Sequence, residues 1–223
     1  MSQLSTDEVA STQSDPVLHY SPPDSATYPI ALQHYRYSKT LPSVGSLGDL
    51  RLLQYKFLAC FCSPQCPERL IQPTYEVAQT LCDAAIPIIS GFHSPIEQKI
   101  LALLLGGSQP VIHCPARSLE NMRLSPELKA AIGQNRLLLL SPFPVSQKRA
   151  TADLAEQRNR FVTALATAVF VVYAAPGGKT EALVHQALAW GKPVLTLASS
   201  ENEDLLKLGA KPVQLAAVAE LLA

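Results

Sequence analysis

The sequence predicts a doubly wound α/β domain, a mainly parallel sheet with helices on both faces. Three observations carry the expectation. Apolar runs of strand length recur along the chain. Each is separated from the next by a segment of helix length. Turn residues, chiefly glycine and proline, mark the joins. Strands that are apolar throughout belong to sheets covered on both faces, and right-handed crossovers then gather every strand-to-helix loop along one edge.

The strands are expected near residues 57–62, 86–90, 110–114, 136–141, 168–174 and 193–198. Between the first two, ERLIQPTYEVAQTLCDAA has helical spacing, with Pro73 implying a kink or a late start. The next helix runs from Pro95 to Leu105 and closes on Gly106-Gly107. Further helices are expected near 125–132, from Ala152 to Thr167, and after Gly177-Gly178, where Gly191 suits the far cap. Two short helices, Asp204–Leu208 and Gln214–Leu222, end the chain. Residues 1–27 are polar and proline-containing and read as a mobile tail. Residues 28–223 read as a single domain, with 28–55 a loop-rich lead-in without a helix of its own.

Composition narrows the function. Hydrophobic residues make up 48% of the 223, and 18 basic side chains balance 18 acidic ones. Nucleic-acid binding would therefore need a local basic patch rather than an overall excess. The first residues lack the apolar core of an export signal, and the longest apolar runs are strand-sized. Five cysteines without such a signal read as reduced thiols, which gives an expectation of a cytoplasmic protein with no membrane span. The Cys60-x-Cys62-x3-Cys66 spacing fits no common zinc pattern, so no metal and no cofactor are expected.

Candidate ligand residues lie at the predicted strand ends, where such sheets bind ligands. Gly177, Gly178, Lys179 and Thr180 open a helix directly after a strand. Paired glycines allow close backbone approach, and a helix start offers free N–H groups to an anion. Taken alone, this run is more readily a plain turn with a capped helix. Ser63, Ser90-Gly91 with His93, and Ser141 place small or hydroxyl residues at the neighbouring loops. Arg158, Asn159 and Arg160 add guanidinium groups suited to bidentate phosphate contacts, although two residues' separation on a helix lets at most one face the ligand squarely. No nucleophile elbow or suggestive carboxylate pair is present. Glu97 and Glu181 are the acids beside these loops, and Glu181 is the weak catalytic candidate.

The order ISGFHSPIE, LLLLSPFP, EQRNRFVTALATAVFVVYAAPGGKTEALVHQALAWGKPVLTL resembles the DNA-processing protein A (DprA, or Smf) family. The resemblance covers about residues 28–200, with Arg158-Asn159-Arg160 its most specific part. It implies an extended Rossmann fold, binding of single-stranded DNA, a homodimer, and a recombinase as partner. The chain departs from the family pattern at several positions. Cys62-Ser63-Pro64 stands for Gly-Ser-Arg, His93 for alanine, Pro95 for glycine, Glu97 for aspartate and Pro142 for glutamate. Pro176-Gly177-Gly178-Lys179-Thr180-Glu181 is also similar to a contracted form of the loop of cytokinin-activating phosphoribohydrolases, in the wider superfamily. The functional expectation is thus phosphate-mediated binding of a nucleotide or single-stranded DNA without covalent chemistry. The alternatives are a nucleotide hydrolase using Glu181, or a small-nucleotide sensor.

Overall fold

The computed structural model describes residues 17–35 and 38–223. Among the described residues nine strands form one sheet: β1 (Leu18–Ser21), β2 (Val44–Leu47), β3 (Leu58–Cys62), β4 (Ile88–Ser90), β5 (Val111–His113), β6 (Leu137–Ser141), β7 (Ala168–Tyr173), β8 (Val194–Thr196) and β9 (Lys211–Pro212). Their spatial order is β1-β2-β6-β5-β4-β3-β7-β8-β9. Every pair from β6 to β9 is parallel, and β1 and β2 are antiparallel additions at one end. All six strands read from the sequence are present and parallel, so the sheet is the expected Rossmann-like one.

The helices are α1 (Ala31–His34), α2 (Ile71–Asp83), α3 (Pro95–Gly106), α4 (Pro126–Gly133), α5 (Ala152–Leu165), α6 (Lys179–Ala189), α7 (Glu203–Leu208) and α8 (Leu215–Leu222). They cover both faces because alternate strand residues feed two cores. One core joins Ala59, Phe61, Ile89, Leu138 and Val171 to Phe161 of α5 and Val184 of α6. The other joins Leu58, Cys60, Ile88, Leu139 and Phe170 to Leu81 of α2, Ile100 of α3 and Val218 of α8. Burial on both faces explains why these strands show no polar alternation. Pro73 resolves as a late start: it sits in the first turn of α2, where a missing N–H costs nothing.

Two expectations at the amino end are corrected. Residues 18–21 fall inside the predicted tail, yet they form β1 and pair along β2 from Leu18–Leu47 to Ser21–Val44. Residues 1–16 of that predicted tail lie outside the described residues, and 22–27 form turns. The lead-in, expected to be loop, carries α1, β2 and a 3-10 turn at Leu50–Gln54. Its Gly45 obscures a strand, but β2 pairs with β6 and so satisfies backbone groups that edge would otherwise expose. No helix among the described residues is long and apolar enough to cross a membrane.

Candidate functional site

The chain enters the parallel sheet at β3, steps outward through β4, β5 and β6, then crosses back over α5 to lay β7 on β3's other side. The switch point therefore lies between β3 and β7, the position outside whose carboxyl ends such sheets bind ligands. The loops after β3 and β7 meet there: the Ala175 N–H donates to Ser63 Oγ at 3.0 Å.

Most of the hydroxyls predicted for ligand binding are engaged inside the protein. Buried Ser90 donates its hydroxyl to the Cys60 carbonyl at 2.6 Å and accepts from the Phe92 N–H at 3.2 Å. Ser141 does the same one loop away, donating to the Arg117 carbonyl at 2.7 Å and accepting from the Phe143 N–H at 3.2 Å. Ser63 is buried as well. These serines shape the loop ends and tie neighbouring loops together.

Arg158 is a frame residue too. Its side chain is buried, Nη1 donates to the Cys114 carbonyl at 2.9 Å, and Nε donates to Asn159 Oδ1 at 2.7 Å. Its guanidinium lies against Gly91, where any Cβ would overlap it and force it to move. Burial lowers its pKa from the ordinary value, and the Glu97 carboxylate nearby pulls the other way.

Glu97 organises the β4–α3 loop, and the sequence reading had not placed it in the site. Its carboxylate is buried and accepts from the Cys62 N–H at 2.8 Å, the His93 N–H at 2.7 Å and the Ser94 N–H at 3.2 Å. Ser94 completes a capping box, with Oγ accepting from the Glu97 N–H at 3.3 Å. Burial raises the Glu97 pKa, while these donors and Arg158 oppose the rise. A carboxylate of the chain itself thus occupies the place an anion would take at the start of α3. Phe92 adopts a left-handed φ of 46° in this loop, and His93 is exposed beside it. His113, edge-on to Phe92 at 5.5 Å between ring centres, has its pKa lowered to about 4 by burial and by the Arg158 charge.

The start of α6 is built differently. Gly178 gives no side-chain cap. Among the described residues, no hydrogen bond engages the N–H groups of Lys179, Thr180 or Glu181, the orphan donors of a first helical turn. Gly177, with φ of 68°, turns the chain into the helix, and its N–H donates to Glu181 Oε2 at 2.6 Å. The Glu181 carboxylate is thereby spent on bracing the loop. Lys179 is exposed and reaches α5, 3.2 Å from Glu156 Oε2 and 3.4 Å from the Ala152 carbonyl. Arg160, half exposed, approaches Glu156 Oε1 at 3.9 Å. Asn159, Arg160 and Lys179 line one small groove between α5 and α6. The structure therefore brings Asn159, Arg160 and Lys179 together in one open groove next to the Gly177-Gly178 turn, while Thr180 is buried. Ser63, Ser90, Gly91, Ser141 and Arg158 form the frame beneath it.

All five cysteines are free thiols, four of them buried. Among the described residues, no cluster of three or more His, Cys, Asp or Glu side chains has the arrangement to hold a metal ion.

No curated protein sequence matches the chain. Among solved structures, DNA processing protein A from Streptococcus pneumoniae superposes with a TM-score of 0.76 at 20% identity, over 91% of this chain and 73% of that one. DNA processing protein A from Helicobacter pylori, described for its single-stranded DNA binding mode, superposes with a TM-score of 0.67 at 22% identity, over 84% of this chain and 91% of that one. At these identities the likeness is one of fold. The sequence model of DNA recombination-mediator protein A matches residues 19–221, nearly the whole sheet and its helices, and the chain belongs to that family.

Proposed function

We propose that this protein binds single-stranded DNA in a DNA-processing role, through phosphate contacts at the uncapped start of α6 and the cations beside it. The observation that carries the reading is the uncapped start of α6, whose first residue, the exposed Lys179, shares a groove with Arg160. It lies at the sheet's carboxyl edge in a member of this family. Helix starts attract phosphate through their N–H groups and the positive end of the dipole. No bond need be made or broken. Glu181, the carboxylate a hydrolase reading would use, accepts from the Gly177 N–H. Family membership supports three companion proposals: a cytoplasmic location, assembly as a homodimer, and a recombinase as protein partner.

The test is fluorescence anisotropy with labelled oligo-dT and with duplex DNA at two salt concentrations. Tighter binding to the single strand, weakening steeply with salt as counterions are released, is the expected result. Equal affinity for both, or release of free base from nucleoside monophosphates that is lost in Glu181→Gln, would replace this reading.

A further inference from the structure

A separate cavity opens on the far side of Arg160, between the lead-in and α5, with a volume of about 430 Å³. Its floor is apolar, with Phe143 and Leu154 each less than a tenth exposed and Pro42 and Pro142 beside them. Its rim carries Lys39 and Arg160 together with the amide side chains of Gln147 and Gln157. Among the described residues, no carboxylate lines it and no hydrogen bond engages either amide. The volume falls within the usual range for small-molecule sites, roughly 300–1,000 Å³.

Each part of this lining selects a ligand property. The apolar floor accepts a flat ring. The amides offer both donor and acceptor groups, which suits the edge of a heterocyclic base. The two cations suit a phosphate, which would compete with Glu156, 3.9 Å from Arg160, for that guanidinium. Arg160 also belongs to the α5–α6 groove that holds Lys179, so the cavity and the proposed DNA surface are continuous through one guanidinium.

We infer that this cavity is a nucleotide subsite, holding a base over Phe143 and Leu154 with its phosphate between Arg160 and Lys39. The inference rests on the DNA-binding reading and extends it to a specific neighbouring surface. The nucleotide could come from the same single strand or be a free mononucleotide.

The test uses the full chain, short oligo-dT carrying one photoreactive 5-iodouracil at successive positions, and dTMP. Gln157 lies exposed on α5, so Gln157→Trp narrows the cavity mouth without touching the core. The subsite requires crosslinks to the 142–147 loop and a loss of about tenfold in oligonucleotide affinity in Gln157→Trp and in Lys39→Ala. Wild-type dTMP binding that is lost in the same variants identifies a free nucleotide as occupant. An effect confined to the oligonucleotide identifies the strand. If both variants bind as wild type while Lys179→Ala loses affinity, the DNA reading stands and the subsite falls. If the wild-type chain binds neither probe, both fall.

Discussion

The loops that start α3 and α6 flank the same strand, β3, and solve the same problem in opposite ways. Each must satisfy the unpaired N–H groups of a helix start. The α3 loop does so internally: the Glu97 carboxylate takes three backbone donors, from Cys62, His93 and Ser94, and Ser94 caps the helix. The α6 loop leaves its donors open and surrounds them with exposed cations. A helix start that holds its own anion is a structural joint. One whose own carboxylate, Glu181, takes only the Gly177 N–H keeps its first-turn donors free for a further anion. The comparison thus separates residues that shape the site from residues available to a ligand, although both kinds share one sheet edge.

The strongest way to break this comparison is to remove the buried charge beneath Gly91. Arg158→Met removes the donors to the Cys114 carbonyl and Asn159 Oδ1, and leaving a buried polar partner unsatisfied costs about 1–3 kcal/mol each. Urea denaturation of the variant is expected to show that loss. A change below about 1 kcal/mol would mean that Arg158 is not part of the frame.

A smaller effect comes from His113. Its folded pKa, about 4, lies below the ordinary value of 6.5. Between those values the unfolded chain binds more protons, so stability falls as pH drops through this window and levels off below it. The contribution is at most about 3–4 kcal/mol, from 1.36 kcal/mol for each pKa unit. Glu97, whose pKa is raised, acts with the opposite sign: its contribution is present below the ordinary carboxylate value and is lost as pH rises through the folded one. The difference between wild-type and His113→Gln stability curves isolates the histidine. Parallel curves from pH 7 to pH 4 would show that it does not charge on unfolding.

The open loop gives an effect on binding alone. Lys179→Ala is expected to weaken oligo-dT binding by about three- to tenfold and to reduce the salt slope by about 1, one phosphate contact fewer. Its unfolding midpoint should not move, because the side chain is exposed and its ion pair with Glu156 lies at the surface. A shifted midpoint with unchanged binding would reverse the roles assigned to the two loops.

The parallel sheet was legible because its strands are buried on both faces, and FLACFC or LLLLS leaves few other readings. Strand β1 was not legible. His19 and Tyr20 are exposed, and the strand exists through its pairing with β2 rather than through its own pattern. In the site, position along the chain pointed to the right loops but not to the direction of the side chains. Ser90 and Ser141 sit at strand ends as expected, yet both donate to carbonyls of neighbouring segments. Arg158 and Arg160 were expected to diverge, and they do: one turns into the sheet edge and the other out to solvent. The Ser94-Pro95-Ile96-Glu97 pattern is a capping-box signal that a closer reading would find. The further reach of Glu97 to the Cys62 N–H is a tertiary contact that no local pattern encodes.

Glu156 sharpens the comparison from the other side, through the smallest effect. It is the one acid within ion-pair distance of both Lys179 and Arg160 among the described residues, at 3.2 and 3.9 Å. It plays for the open loop a weaker form of the part Glu97 plays for the closed one. Glu97 is buried and donor-saturated, so an incoming phosphate cannot displace it. Glu156 is half exposed and held by surface pairs of about 0–1 kcal/mol, which a phosphate with two charge-assisted contacts can replace. Binding must therefore overcome its attraction for the two cations and its repulsion of the phosphate, and Glu156→Gln removes both while keeping the side chain's shape. Affinity for oligo-dT should rise by about two- to fivefold, most at low salt, where such charges are least screened. The same substitution in Lys179→Ala should gain less, since one of the freed cations is gone. An equal gain in both backgrounds would mean that Glu156 acts on the DNA alone and not by holding Lys179.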